Sequence, residues 1–138
     1  METIRIEIFT PYAKYLEDEI RLLSIFSDGY SMGVLPNHYP LITTLKLSKL
    51  KLVFENEEFL YSIGEGVMHV EKGVISMLVD FIERGDEIDI GRAKAKEEEM
   101  LSKLETEENE DLIKTYKKSL KKARTRIAVY EEFNKWFM

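Results

Sequence analysis

Thr3-Ile-Arg-Ile-Glu-Ile-Phe9 alternates apolar and polar residues, with Ile4, Ile6 and Ile8 on one face, and a period of two is the mark of a half-buried strand. Pro11 ends that segment. Glu19–Phe26 is rich in strand formers and closes at Asp28-Gly29, a turn signal. Further strands are expected over Leu41–Leu47, over the alternating run around Leu50, Leu52 and Phe54, and over Glu58–Ile63. Gly66–Glu71 and Val74–Phe81 flank Lys72-Gly73, a tight-turn pair. Short strands about ten residues apart, separated by turn chemistry, point to an antiparallel sandwich or barrel. No helical stretch interrupts them, so a parallel sheet is not expected.

After Asp86 the period changes. Asp89 suits a helix N-cap, and Ile90–Leu104 is full of helix formers, with Ile90, Ala93, Met100, Leu101 and Leu104 along one side. Glu105–Asp111 is too polar to pack and should hold a turn. Ile113, Tyr116, Leu120, Ala123, Ile127, Tyr130, Asn134 and Phe137 then recur at steps of three and four, a heptad seam with one polar interruption. The expected architecture is a β-sandwich over residues 1–87 followed by an antiparallel α-helical hairpin over 88–138, an α+β chain overall. Each helix has a narrow apolar stripe, and such helices are marginal alone in water. The hairpin therefore needs a surface to lie on. If several surfaces compete, it is a switch; if one dominates, it is a permanently docked element.

Charge divides along the same lines. The 138 residues carry a net charge of −6, and charged residues reach 33%. Residues 1–88 hold 8 basic and 15 acidic side chains, residues 89–111 hold 4 and 9, and residues 112–138 hold 8 and 2. A basic last helix thus follows an acidic stretch, a pattern that concerns partners. The overall acidity argues against a nucleic-acid-coating protein. The absence of cysteine excludes disulfides and thiolate chemistry. No apolar run is long enough to span a bilayer and no signal peptide opens the chain, so a soluble intracellular protein without direct membrane insertion is expected. Two distant histidines, His38 and His69, give no metal-ligand spacing. The carboxylates lie in helices and turns without a pocket-forming context, so no catalytic pair is expected.

Several segments together resemble the epsilon subunit of bacterial F-type ATP synthases. They are Gly33-Val-Leu-Pro-Asn-His-Tyr-Pro-Leu41, Gly64-Glu-Gly-Val-Met-His-Val70, Ile88-Asp-Ile-Gly-Arg-Ala93 and Leu120-Lys-Lys-Ala-Arg-Thr-Arg-Ile-Ala-Val129, in that order. The resemblance covers essentially the whole chain, and its Pro-Asn-His-x-Pro loop is the most specific piece. It implies a ten-stranded sandwich plus helical hairpin. It also implies a non-catalytic place in the central stalk of a rotary enzyme, peripheral on the cytoplasmic face of the bacterial membrane. The sandwich would sit between the gamma subunit and the c-ring. The helices would either fold down or extend along gamma and inhibit ATP hydrolysis among the alpha and beta subunits.

The same resemblance supplies site residues. Tyr30, Ser31, Met32, His38 and Tyr39 are the expected c-ring contacts, with Tyr30-Ser31 standing where many relatives carry a glutamate or other polar residue. The stiff Pro36–Pro40 loop would present its side chains at little entropic cost; capping of the loop by His38 is the alternative. No cofactor is required. Some epsilon subunits bind ATP as a regulatory ligand, and the matching positions here are Asp89, Arg92, Lys122 and Arg126. Lys122 replaces an arginine and Thr115 another basic residue. Otherwise Asp89 is simply a cap. Lys117, Lys118, Lys121, Lys122, Arg124 and Arg126 form the basic face expected to meet acidic helices of the beta subunits; paired with Glu97–Glu99, it would instead be an ordinary solvated surface. The tail Phe133–Met138 reads as a contact surface. An unrelated adapter with a coiled-coil tail is the competing class.

Overall fold

The computed structural model of the chain describes residues 2–27 and 29–136, with the side chain of Trp136 left out. It divides into two compact units, Met1–Arg84 and Gly85–Met138.

The first unit holds ten strands among the described residues: β1 (Ile4–Phe9), β2 (Lys14–Ile20), β3 (Leu22–Ser27), β4 (Tyr30–Val34), β5 (Leu41–Leu45), β6 (Ser48–Val53), β7 (Glu58–Ile63), β8 (Gly66–Glu71), β9 (Val74–Val79) and β10 (Ile82–Arg84). They form two five-stranded sheets, ordered β2-β1-β9-β8-β5 and β10-β7-β6-β3-β4. Every pairing is antiparallel except β1 with β9, which is parallel. The inward residues of both sheets make one core. Ile4, Ile6 and Ile8 face it from β1, Leu23 and Ile25 from β3, and Met68 and Met77 from β8 and β9, all essentially inaccessible.

The stretch Glu19–Phe26 is two strands rather than one. Ile20 pairs with Ile4 in the first sheet, whereas Leu22 pairs with Val53 in the second. Arg21 is the corner, its N–H donating to the Val53 carbonyl at 2.7 Å. Ile20 and Leu23 are both fully buried. That spacing of three cannot belong to one strand of period two, so the chain must turn between them. Lys72 and Gly73, at φ 52° and 77°, close the β8–β9 hairpin in the left-handed conformation expected of the turn. Gly29 also has positive φ, at 69°; Asp28, its partner in the expected turn, lies outside the described residues. Leu41–Leu47 and Val74–Phe81 each end two residues early as strands.

The second unit opens with a 3-10 turn, Gly85–Glu87, three residues before the boundary expected from sequence. α1 spans Ile90–Thr106, and the Asp89 carboxylate caps it by accepting the Arg92 N–H at 3.1 Å. α2 spans Glu110–Trp136. Its cap is Asn109, whose side-chain oxygen accepts the N–H groups of Asp111 and Leu112 at 2.9 and 3.2 Å. The expected polar turn is thus shortened, because Glu110 and Asp111 are carboxylates suited to the positive end of a helix. On α1, Ala93 and Met100 are buried but Leu101 is 40% exposed. On α2, Leu120 and Ala123 follow the seam, whereas beyond them the buried residues are Val129 and Phe133 rather than Ile127 and Tyr130. Helical geometry puts those two roughly a third of a turn round the helix from the seam, so α2 has two covered faces. Phe137 and Met138 lie outside the described residues.

Candidate interaction surfaces

The stiff loop is built by its own backbone. The His38 N–H donates to the Leu35 carbonyl at 3.1 Å, and Asn37 takes φ 68° between the two prolines. The His38 ring nitrogen Nδ1 lies 2.7 Å from the Tyr39 carbonyl, an acceptor-only oxygen, so Nδ1 carries the proton. Asn37 donates to Glu2 at 3.1 Å, tying the loop to the start of β1. His38 therefore does cap the loop, and the large apolar side chains the loop shows to solvent are Leu35 and Tyr39, at 59% and 85% exposure.

The structure does not bring the five expected c-ring contacts together. Leu41, which follows the loop, pairs with Val70, beside the β8–β9 turn and the start of β1. Tyr30 lies at the other end: it pairs with Ser27, whose hydroxyl donates to the Leu47 carbonyl beyond the far end of β5. β4 separates the two groups, and from Tyr30 to Val34 it is about 13 Å long at the usual rise. Tyr30 and Ser31 are thus exposed at one end of the sandwich, while His38 and Tyr39 sit at the other. Met32 is half-buried under the Tyr30 hydroxyl, 3.4 Å from its sulfur. One flat partner can cover one end only.

Two exposed groups were not anticipated from sequence. Tyr12, in the β1–β2 turn, is 92% exposed, at the same end as Tyr30. Ile42, Val67 and Leu78 are exposed on the outer face of the first sheet, where Val67 is flanked by Thr44 and Leu78, and Leu78 by Phe9. A signal for this face was present: Leu41-Ile42, Val67-Met68 and Met77-Leu78-Val79 are unbroken apolar runs, and in an antiparallel strand such a run makes both faces apolar. His69 shares this outer face and pairs with Glu71, Nε2 to Oε2 at 3.1 Å.

On the hairpin, Arg124 Nε lies 3.0 Å from Glu97 Oε2, and Lys103 Nζ sits 5.3 Å from the Tyr116 ring centroid. Part of the basic face is therefore paired with the acidic helix, and Lys118, Lys121, Lys122 and Arg126 also have interaction partners; Lys117 is exposed. These two contacts set the antiparallel register. They place Arg126 about 9 Å and Lys122 about 15 Å along the axis from Asp89. Asp89 and Arg92 are exposed at the start of α1, and one Asp89 oxygen is already the cap. The four candidate nucleotide residues thus spread along an open helical surface. The Glu99 carboxyl on α1 is held below its ordinary range, by a hydrogen bond from Lys103 and the charge of Lys96. Among the described residues no three His, Asp or Glu side chains converge on a metal-sized site. No described helix is long and apolar enough to cross a membrane.

Residues 3–85 match the family described as the ATP synthase delta/epsilon chain, β-sandwich domain. The chain belongs to the ATP synthase epsilon-chain family. The epsilon chain of Geotalea uraniireducens is 33% identical over 131 residues, 93% of this chain and 94% of that one. The epsilon chain of Staphylococcus haemolyticus is 30% identical over 132 residues, 95% and 98% of the two chains. In fold, the chain matches one in the cryo-EM structure of the Euglena gracilis mitochondrial ATP synthase with TM-score 0.81 at 21% identity, covering 91% of this chain and 80% of that one. A chain in the central stalk and c-ring structure from Tetrahymena thermophila matches with TM-score 0.60 at 14% identity, covering 95% and 96%. As an epsilon chain this protein is a non-catalytic accessory subunit of the rotary ATP synthase.

Proposed function

We propose that the sandwich is a rigid coupler held between two different partners, and that the hairpin restrains ATP hydrolysis. The observation that supports the coupler is the placement of exposed apolar side chains at both ends of one stiff body. The Tyr12, Tyr30 and Ser31 end offers phenols and hydroxyls, which suit polar loops because a tyrosine joins an apolar ring to a hydrogen-bonding tip; this end is assigned to the c-ring. The Leu35 and Tyr39 end, continuous with Ile42, is more apolar and is assigned to the gamma subunit. The basic face of α2 suits acidic helices of the beta subunits, since opposite fields steer association and weaken with salt. The chain would then be peripheral, on the cytoplasmic face of a bacterial membrane, attached through its partners.

Because the chain has no cysteine, single cysteines can test the assignment in the assembled enzyme. Ser31→Cys should crosslink to c and Tyr39→Cys to gamma. Capture of the same subunit by both would refute the coupler. Removing residues 85–138 should leave an assembly-competent sandwich, whose whole core lies within residues 4–82, and should raise ATP hydrolysis. Unchanged hydrolysis would remove the restraint. A second reading, ATP held on the hairpin, is favoured by the register that sets Arg126 within about one helical turn of Arg92 along the axis. Two guanidinium forks suit phosphate. Titration calorimetry with no heat at millimolar ATP would end it.

A further inference from the structure

α2 is ten residues longer than α1, 27 against 17. At 1.5 Å per residue the two are about 40 and 25 Å long. Only a short connection joins them, so in an antiparallel pair the last turns of α2 must run past the beginning of α1. They meet the 3-10 turn there. Phe133, 7% exposed, lies on Gly85 so closely that a Cβ added to the glycine would come within 2.5 Å of the ring carbon Cγ and 2.6 Å of the Phe133 Cβ. The atoms in the way are the root of the side chain, not its flexible tip. Room could be made only by moving the helix.

We propose that Phe133 seated on Gly85 is a latch that joins the far end of α2 to the root of the hairpin and controls how readily the hairpin opens. Helix ends fray first and local opening is easiest at termini. A pin at this point acts on the turns that would otherwise leave first. Gly85 has no positive φ, so its missing side chain serves close approach rather than backbone conformation. The regulatory consequence rests on the proposed restraint of ATP hydrolysis; the latch itself does not.

Hydrogen exchange on the full chain tests it. Gly85→Ala should accelerate exchange of amides 127–135 by about tenfold or more, while amides of β1 and β9 keep their wild-type rates. Phe133→Ala should do the same. Phe133→Gly removes both the ring and the Cβ that the new methyl would meet, so in the double variant Gly85→Ala should add little to Phe133→Gly. Unchanged exchange in α2, equal acceleration in the sandwich, or full additivity would each overturn the latch. In the assembled enzyme, Gly85→Ala should also raise ATP hydrolysis. Faster exchange with unchanged hydrolysis would leave the latch standing and refute the restraint.

Discussion

Gly66 and Gly33 are both strand glycines, and the same substitution should act on them in opposite directions. A Cβ on Gly66 would lie 1.9 Å from the Leu78 carbonyl oxygen and 2.8 Å from Val79 Cα, where ordinary contacts fall at 3.4–4 Å. The obstacle is backbone, in the strand that pairs with β8, so β8 and β9 would have to separate. That would disturb the next inward row, where Met68 faces Met77 and both are buried. Overpacking typically costs about 1–3 kcal/mol, and a backbone obstacle belongs at or above the top of that range. At about 4–8 °C per kcal/mol for a domain of this size, Gly66→Ala should lower the sandwich melting temperature by about 12–24 °C or more. On Gly33 the added Cβ would meet only the Leu23 carbonyl at 3.8 Å and a Leu22 methyl at 3.9 Å. Gly33→Ala should therefore be neutral or stabilising by up to about 1 kcal/mol, through lost entropy of the unfolded chain. Far-UV circular dichroism melts of the two variants decide the matter. A Gly66→Ala protein that melts with wild type, or with Gly33→Ala, would refute the claim that Gly66 is dictated by contact with β9.

The Ser62 hydroxyl is buried with no hydrogen-bond partner among the described residues. Ser62→Ala should stabilise the protein by about 1 kcal/mol in a denaturant melt, since a buried unsatisfied polar group costs about 1–3 kcal/mol; a loss of stability would show that the hydroxyl is satisfied after all. The depressed Glu99 carboxyl sets a pH dependence. It stays ionised in the folded hairpin where the unfolded chain would take up a proton, so its contribution is full above the usual carboxylate range and is lost as pH falls through its own lowered value. Helicity should decline on acidification and Glu99→Gln should blunt the decline; superimposable acid titrations would contradict this.

Much of this architecture could be read from residue patterns because the patterns are local. Ile4, Ile6 and Ile8 alternate and are buried together; Glu58–Ile63 and Gly66–Glu71 have the expected bounds; Asp89 caps α1. What escaped depends on partners distant in sequence. The Arg21 corner exists because Ile4 and Val53 compete for adjacent residues, and no glycine or proline marks it. β4 is an edge strand whose one fully buried residue is Val34, too little to produce a period. Val129 and Phe133 leave the seam because Phe133 answers to Gly85, 48 positions earlier. The split of the expected c-ring set has the same origin. Tyr30 and Tyr39 are near in sequence, but a strand run lies between them, and an extended chain carries neighbours apart faster than any other element.

The two units also differ in how their stability is held. The sandwich core is one continuous cluster to which all ten described strands contribute, so no surface change at either end need disturb it. That independence suits a coupler, because a force or contact at Tyr30 passes to Tyr39 through a body that does not yield. The hairpin rests on few buried side chains, with Ala93 and Met100 the only buried positions on α1 and charge pairs such as Arg124–Glu97 exposed. Exposed pairs are worth little each and are screened by salt. A helix pair held this way changes state for small differences in contact energy, and a single close fit such as Phe133 on Gly85 then becomes a large fraction of what holds it shut. Rigidity in the sandwich and marginal stability in the hairpin are therefore held separately in the same chain, through strand pairing in one unit and sparse side-chain contact in the other.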